Sequence, residues 1–350
     1  MNPQPQPMIG GPVYGGPGFA QQPHMFGQPF PGQVPHSAPA PKPIDQAKID
    51  ADAAALRKAM KGLGTDEAAI IKIIANRTNA HRQKIKVAYK SAYGRDLISD
   101  LKSELHGNFE DAVLALFVEP VEYDCDQLKK AMKGAGTDEG TLIEIIASRP
   151  NWLLKNIKAK YKEKYGKELE DEVKKETSGD LKRMLVSLLQ CARSENNNPN
   201  PADCQAKATQ LYEAGEAKRG TDSDVFIKIF SLSSPAELVG IAKAYHAQYG
   251  KTILEAIKNE FSGHIKELLT AIVYAMLSPS EYFATRVNKA IKGWGTNDNL
   301  LIRVLVTRDE IDMPQIKQYY KQLYNKDMID AIKGDCKGDY QKLLVELCSH

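Results

Sequence analysis

A chain of 350 residues, 42% apolar and 26% charged, is long enough for a large core and has the composition of a globular protein. Its 47 basic and 44 acidic residues leave a net charge of +3, which excludes a standing electrostatic attraction to nucleic acid or to anionic membranes. Five cysteines (Cys125, Cys191, Cys204, Cys336 and Cys348) with no C-x-x-C spacing exclude a disulfide framework and read as reduced thiols in a cytoplasmic protein.

Residues 1–45 hold 12 of the 19 prolines and 7 of the 25 glycines, with no Lys, Arg, Asp or Glu before Lys42. Such a segment buries too little apolar surface to offset its ordering entropy, so a disordered, Pro/Gly-rich tail is expected. Tyr14, Phe19, Phe26 and Phe30 are its candidate sticker sites for a protein partner or for self-association. It lacks the basic region and apolar run of a signal peptide. The longest apolar run of the chain, "LLTAIVYAML" at 268–277, is half a membrane span, so membrane contact is expected to be peripheral.

From residue 46 the pattern becomes helical and repeats. "KAMKGLGTDE" at 58–67 returns as "KAMKGAGTDE" at 130–139 and as "KAIKGWGTND" at 289–298. Taking the glycine before Thr as anchor (Gly64, Gly136, Gly220, Gly295), a Tyr falls 25 residues later (Tyr89, Tyr161, Tyr245, Tyr320). Another falls at 29 (Tyr93, Tyr165, Tyr249, Tyr324) and a Gly at 43 (Gly107, Gly179, Gly263, Gly338). Shared offsets in four copies mean four copies of one unit. The expected boundaries are 46–117, 118–190, a polar linker at 191–202, then 203–273 and 277–348.

In the first unit, 56–60, 70–74, 85–93, 97–105 and 109–117 carry apolar residues at helical spacing, which predicts five helices per unit and an all-α fold. The tyrosine pairs, four residues apart on one helix face, are expected in the core. As a helix turn, "KGLGT" needs only Gly62 or Gly64 to end one helix and Thr65 to cap the next. That reading leaves unexplained an acid forty residues beyond every anchor: Glu104, Glu176, Glu260 and Asp335. Two glycines let successive carbonyl oxygens converge, and Ca²⁺ accepts such oxygens at irregular angles while a distant carboxylate closes the site. A cage of neutral carbonyls and one acid binds weakly and leaves positions for an outside oxygen, such as a lipid phosphate. No EF-hand loop occurs.

Over residues 46–350 the chain resembles the annexins, whose core is four five-helix repeats, each with K-G-x-G-T and an acid about forty residues on. The resemblance implies a curved all-α disc that binds Ca²⁺ and, through it, acidic phospholipid. It implies carbonyl ligands at Met60, Gly62 and Gly64 with Glu104; at Met132, Gly134 and Gly136 with Glu176; and at Ile291, Gly293 and Gly295 with Asp335. The third copy, "AGEAKRGTDSD", departs from the pattern and would use Gly215, Lys218 and Gly220 with Glu260. Weaker ions are implied at Thr65 with Glu67 and at Thr137 with Glu139, while Ser223 takes the corresponding place in the third copy. Leu63, Ala135, Arg219 and Trp294 would touch lipid. Asp124, Glu144, Arg149 and Arg303 match the positions lining the family's central channel, and are read here as stabilising contacts between modules.

The lysine run at 155–168 is interleaved with Glu163 and Glu168 and reads as a solvated helix face, so no nucleic-acid partner is expected. Seven scattered histidines form no catalytic pattern, and no enzyme is expected. The leading expectation is a cytoplasmic protein, monomeric in solution, that binds acidic membranes reversibly under calcium control and assembles there. The alternative is a calcium-independent helical scaffold that captures proteins through its tail.

Overall fold

The computed structural model describes residues 45–62, 64–293 and 295–349; the tail and its aromatic residues, together with Leu63 and Trp294, lie outside them. The described residues form twenty α-helices and no strand. The first repeat contains α1 (Gln46–Ala59), α2 (Glu67–Ile74), α3 (Asn79–Tyr93), α4 (Leu97–Glu104) and α5 (Gly107–Leu116). The second contains α6 (Pro120–Ala131), α7 (Glu139–Ser148), α8 (Asn151–Tyr165), α9 (Leu169–Glu176) and α10 (Gly179–Leu189). After a helix-free stretch the third follows, with α11 (Pro201–Ala214), α12 (Ser223–Leu232), α13 (Pro235–Tyr249), α14 (Ile253–Glu260) and α15 (Gly263–Leu277). The fourth has α16 (Pro279–Ile291), α17 (Asp298–Arg308), α18 (Met313–Tyr324), α19 (Met328–Asp335) and α20 (Gly338–Leu347). The last helix of the third repeat thus runs past the boundary expected at 273.

Each helix exists because one stripe of it is buried. In α1, Asp45 caps the first turn by accepting from the Ala47 amide, and Ile49, Ala53, Leu56 and Ala59 recur on one face and are buried. That face meets α3, and the first and third helices pack together in every repeat. The run at 268–277 belongs to α15, which is surrounded by α7, α10, α13 and α16 and therefore buries residues all round. No helix among the described residues is long and apolar enough to cross a membrane.

Repeats pair reciprocally. α5 packs on α17 while α2 packs on α20, joining the first repeat to the fourth; α7 packs on α15 while α10 packs on α12, joining the second to the third. All five cysteines are buried and unpaired. The tyrosines at offset 25 are buried, whereas their partners at offset 29 lie edge-on or tilted against them nearer the surface, Tyr93 being 37% exposed. Only the first member of each pair is core; the second covers it.

Candidate metal centres in the four loops

The first two helices of each repeat are joined by the glycine turn. It is closed by one backbone bond across its base: Asp66 N to Ala59 O at 2.9 Å, Asp138 N to Ala131 O at 2.9 Å and Asn297 N to Ala290 O at 2.8 Å. Gly62 and Gly64 have φ of 122° and 86°, Gly134 and Gly136 109° and 94°, and Gly293 and Gly295 151° and 88°. A Cβ at any of these six would meet nothing within 4 Å, so backbone conformation, and not space, requires glycine there.

The residue that caps the second helix is not the Thr that sequence reasoning chose. Asp66, Asp138, Asp222 and Asn297 are the N-caps, accepting from the amides of Ala69, Thr141, Asp224 and Leu300. The position directly before the helix falls to the Asp or Asn one residue after the Thr, and its side-chain oxygen makes the cap. The Thr hydroxyl is thereby free to point across the turn, where it donates to the distant acid. Thr65 reaches Glu104 at 2.8 Å, Thr137 reaches Glu176 at 3.2 Å and Thr221 reaches Glu260 at 2.6 Å; Thr296 makes the same bond to Asp335. These four acids end α4, α9, α14 and α19, so the fold carries each across to the glycine turn of its own repeat.

Among the described residues no Lys, Arg or His forms an ion pair with Glu104, Glu176, Glu260 or Asp335. Nor does any group of three or more His, Cys, Asp or Glu stand together as a metal cluster. The candidate donors at each turn are therefore backbone oxygens, one carboxylate and one hydroxyl, a set that would suit a hard cation of irregular coordination better than a thiolate or imidazole metal. Outside the helices, no backbone amide of the described residues donates to the carbonyls of Met60, Gly62, Gly64, Met132, Gly134, Gly136, Ile291, Gly293, Gly295, Lys218 or Gly220. Gly215 O accepts from Lys218 N at 3.0 Å, so this one expected donor is already engaged. Glu67 and Glu139 stand at the first turns of α2 and α7, and His264 approaches Glu139 at 3.9 Å. Ala135 and Arg219 are exposed at their loop tips.

The third turn differs in length. It is closed by Asp222 N to Ala214 O at 2.7 Å, a span one residue longer than the others, and only Gly220 in it takes a positive φ, of 85°. Gly215 is required for a different reason: a Cβ there would lie 2.9 Å from Glu260 Cγ.

Away from the loops, the four polar positions between repeats are closed pairs. Arg149 grips Asp124 through Nε and Nη2, both at 2.8 Å, and Glu144, with no exposed surface, accepts from Arg303 Nε and Arg286 Nε at 2.8 Å each. Burial works to raise the Glu144 pKa, but the two guanidinium groups outweigh it and hold it at about 2. Arg286, the second cation on Glu144, was missed because it is not among the positions the family resemblance supplied. In the lysine run, Lys160, Lys162 and Lys164 pair with Glu163, Glu168, Glu122 and Asp126.

The annexin family model matches residues 51–116, 123–188, 207–272 and 282–347. Human annexin A4 is 48% identical over 297 residues, covering 85% of this chain and 93% of its own. Human annexin A7 is 46% identical over 86% of this chain and 62% of its own length. Among solved structures, chicken annexin V aligns with a TM-score of 0.82 at 43% identity over 89% of this chain and 98% of its own. A calcium-bound annexin (Sm)1 aligns with a TM-score of 0.78 at 34% identity over 88% and 92%. The chain belongs to the annexin family, for which calcium-dependent phospholipid binding is a family property.

Proposed function

We propose that this chain binds acidic phospholipid membranes reversibly, with calcium held in its glycine turns as the bridge. The observation that carries the reading is the placement, in all four repeats, of an acid without a basic partner against the turn by a Thr hydroxyl. Glu104, Glu176, Glu260 and Asp335 would each close a site otherwise made of neutral carbonyls. Such a site carries little negative charge, so affinity is weak until an outside oxygen joins it. Bound calcium supplies the positive charge that the chain, at +3, does not offer to an anionic surface. Glu67 and Glu139 would support accessory ions. Ala135 and Arg219, exposed at the tips, would meet lipid, and the same role is proposed for Leu63 and Trp294. In this reading the chain is a cytoplasmic monomer that collects on membranes when calcium rises.

The test is sedimentation of the full chain with phosphatidylserine-containing vesicles across a calcium titration. Pelleting should require calcium and reverse with a chelator. The calcium needed for half-maximal pelleting should rise several-fold, roughly, in Glu104→Gln or Asp335→Asn, each of which removes the only formal charge of its site. Pelleting without calcium, or titrations that ignore both substitutions, would defeat the reading.

A further inference from the structure

The third turn holds one residue more than its counterparts, and that residue does not simply bulge into solvent. Lys61, Lys133 and Lys292 are exposed two positions beyond the Ala that closes each turn of the other repeats. The corresponding residue of the third is Glu216, whose side chain is only 7% exposed. Its carboxylate accepts from Tyr245 Oη at 2.6 Å and from Lys251 Nζ at 2.6 Å, with Asn259 Nδ2 at 3.5 Å.

The first two repeats show what this replaces. There the equivalent tyrosine donates to a carboxylate on the fourth helix: Tyr89 to Asp100 at 2.7 Å and Tyr161 to Glu172 at 3.4 Å. Arg95 and Lys167 hold those acids at 2.6 and 3.0 Å. In the third repeat the fourth-helix position is Ala256, which is buried and cannot accept. The same tyrosine and the same cation position, Tyr245 and Lys251, therefore reach for an acid supplied by the loop. In the fourth repeat Ala331 takes the acid's place and Tyr320 donates to Asn288 at 3.3 Å. One repeat thus folds with no carboxylate there at all, so the acid is dispensable for the five-helix unit itself.

We infer that Glu216 is a positioning residue of the third turn: its carboxylate fastens the longer loop to Tyr245 of α13 and to Lys251 between α13 and α14, fixing where Lys218 and Gly220 present their oxygens beside Glu260. The other turns obtain their shape from a pair of positive-φ glycines; this one has a single such glycine and a side-chain anchor. The buried, bonded Glu216 carboxylate is not available as a cation ligand. The inference rests on the calcium reading of the turns for its functional consequence, and on the loop geometry alone for its structural one.

Hydrogen–deuterium exchange of the full chain separates the two. Without calcium, Glu216→Gln should raise exchange over residues 215–221 by about tenfold, the loss of a charged hydrogen bond, while the other three turns stay unchanged. Tyr245→Phe removes one bond and keeps the ring, so it should give a smaller rise in the same segment; it also serves if Glu216→Gln fails to fold. Calcium should slow exchange in that segment, with a midpoint shifted upward about tenfold in Glu216→Gln. Glu260→Gln should abolish that protection without raising the calcium-free rate. Unchanged calcium-free exchange in Glu216→Gln and Tyr245→Phe overturns the inference. So does a uniform rise across all turns with a fall in melting temperature, which would make Glu216 a support of the fold. If Glu260→Gln leaves calcium protection intact, the calcium reading of this turn fails, and the calcium-free rates still decide the anchor.

Discussion

Replacing Glu144 by Gln keeps the shape of the contact between the second and fourth repeats and removes its charge. Both carboxylate oxygens are occupied, one by Arg303 Nε at 2.8 Å and the other by Arg286 Nε at 2.8 Å and Arg303 Nη2 at 3.3 Å. Glutamine can accept with one oxygen only, and its amide would turn a donor toward a guanidinium. Arg303 and Arg286 would remain, 2% exposed as a residue and 12% as a side chain, without a hydrogen-bonded counter-charge. Breaking a buried pair from one side costs about 3–5 kcal/mol. At about 2–4 °C per kcal/mol or somewhat less for a chain of this size, thermal unfolding followed by circular dichroism should move down by roughly 5–15 °C. Replacing Glu144, Arg286 and Arg303 together by Met should recover much of that loss, because an apolar trio leaves no charge to desolvate. Calcium-dependent vesicle binding well below both melting temperatures should be unchanged, since none of the three lies in a glycine turn. A fall of less than about 1 °C in Glu144→Gln, or a triple variant as unstable as the single one, would refute the reasoning.

Other outcomes follow from the same geometry. Glu144 ionises at about 2 in the fold against an ordinary 4.5, so its contribution to stability is complete above pH 4.5 and is lost as pH falls toward 2. At about 1.4 kcal/mol per pH unit the whole loss amounts to roughly 3 kcal/mol, of which about 2 kcal/mol falls between pH 6 and pH 3, where denaturant midpoints should show a decline that Glu144→Gln lacks. Gly215→Ala puts a Cβ 2.9 Å from Glu260 Cγ; calcium protection of the third turn should weaken while the other turns keep theirs. Gly134→Ala meets no neighbour but forces Ala to a φ of 109°, costing about 1–3 kcal/mol, so the second turn should lose calcium protection by conformation alone.

The fivefold helical pattern and the turns were legible because each depends on short-range rules. Buried faces recur at helical spacing, and a positive φ at Gly64, Gly136, Gly220 and Gly295 leaves glycine as the residue of choice. The glycines at offset 43 are explained the same way: Gly107, Gly179, Gly263 and Gly338 all have φ near 60° where the chain turns into the fifth helix. The distant acids were found by counting forward from the anchor. Counting stumbled in the third turn because the count itself changes: upstream of Gly220 an extra residue shifts the register, and the longer turn is held through Glu216.

Buried charge was the least legible part, for a reason that lies in electrostatics. A buried guanidinium needs an acid within reach, but the requirement says nothing about which helix supplies it. Arg77 and Arg149 take Asp52 and Asp124 from the first helix of their own repeats. Arg308, which like Arg77 and Arg149 lies 13 residues after its anchor glycine, faces Phe283 where that acid would stand; its guanidinium lies 4.3 Å from the ring centroid and takes Asp312 from one turn ahead instead. In the third repeat the pair is reversed, with Lys207 on the first helix and Glu237 on the third at 3.4 Å. Each arrangement satisfies the same condition with different residues, so a fixed offset recovers the first two and loses the others. The glycine turns escape this freedom because a backbone conformation cannot be handed to another helix, whereas a countercharge can. The turns written in backbone are therefore what a single sequence discloses most directly, and the pairing within the side-chain network, Arg286 with Glu144 above all, had to be seen in three dimensions.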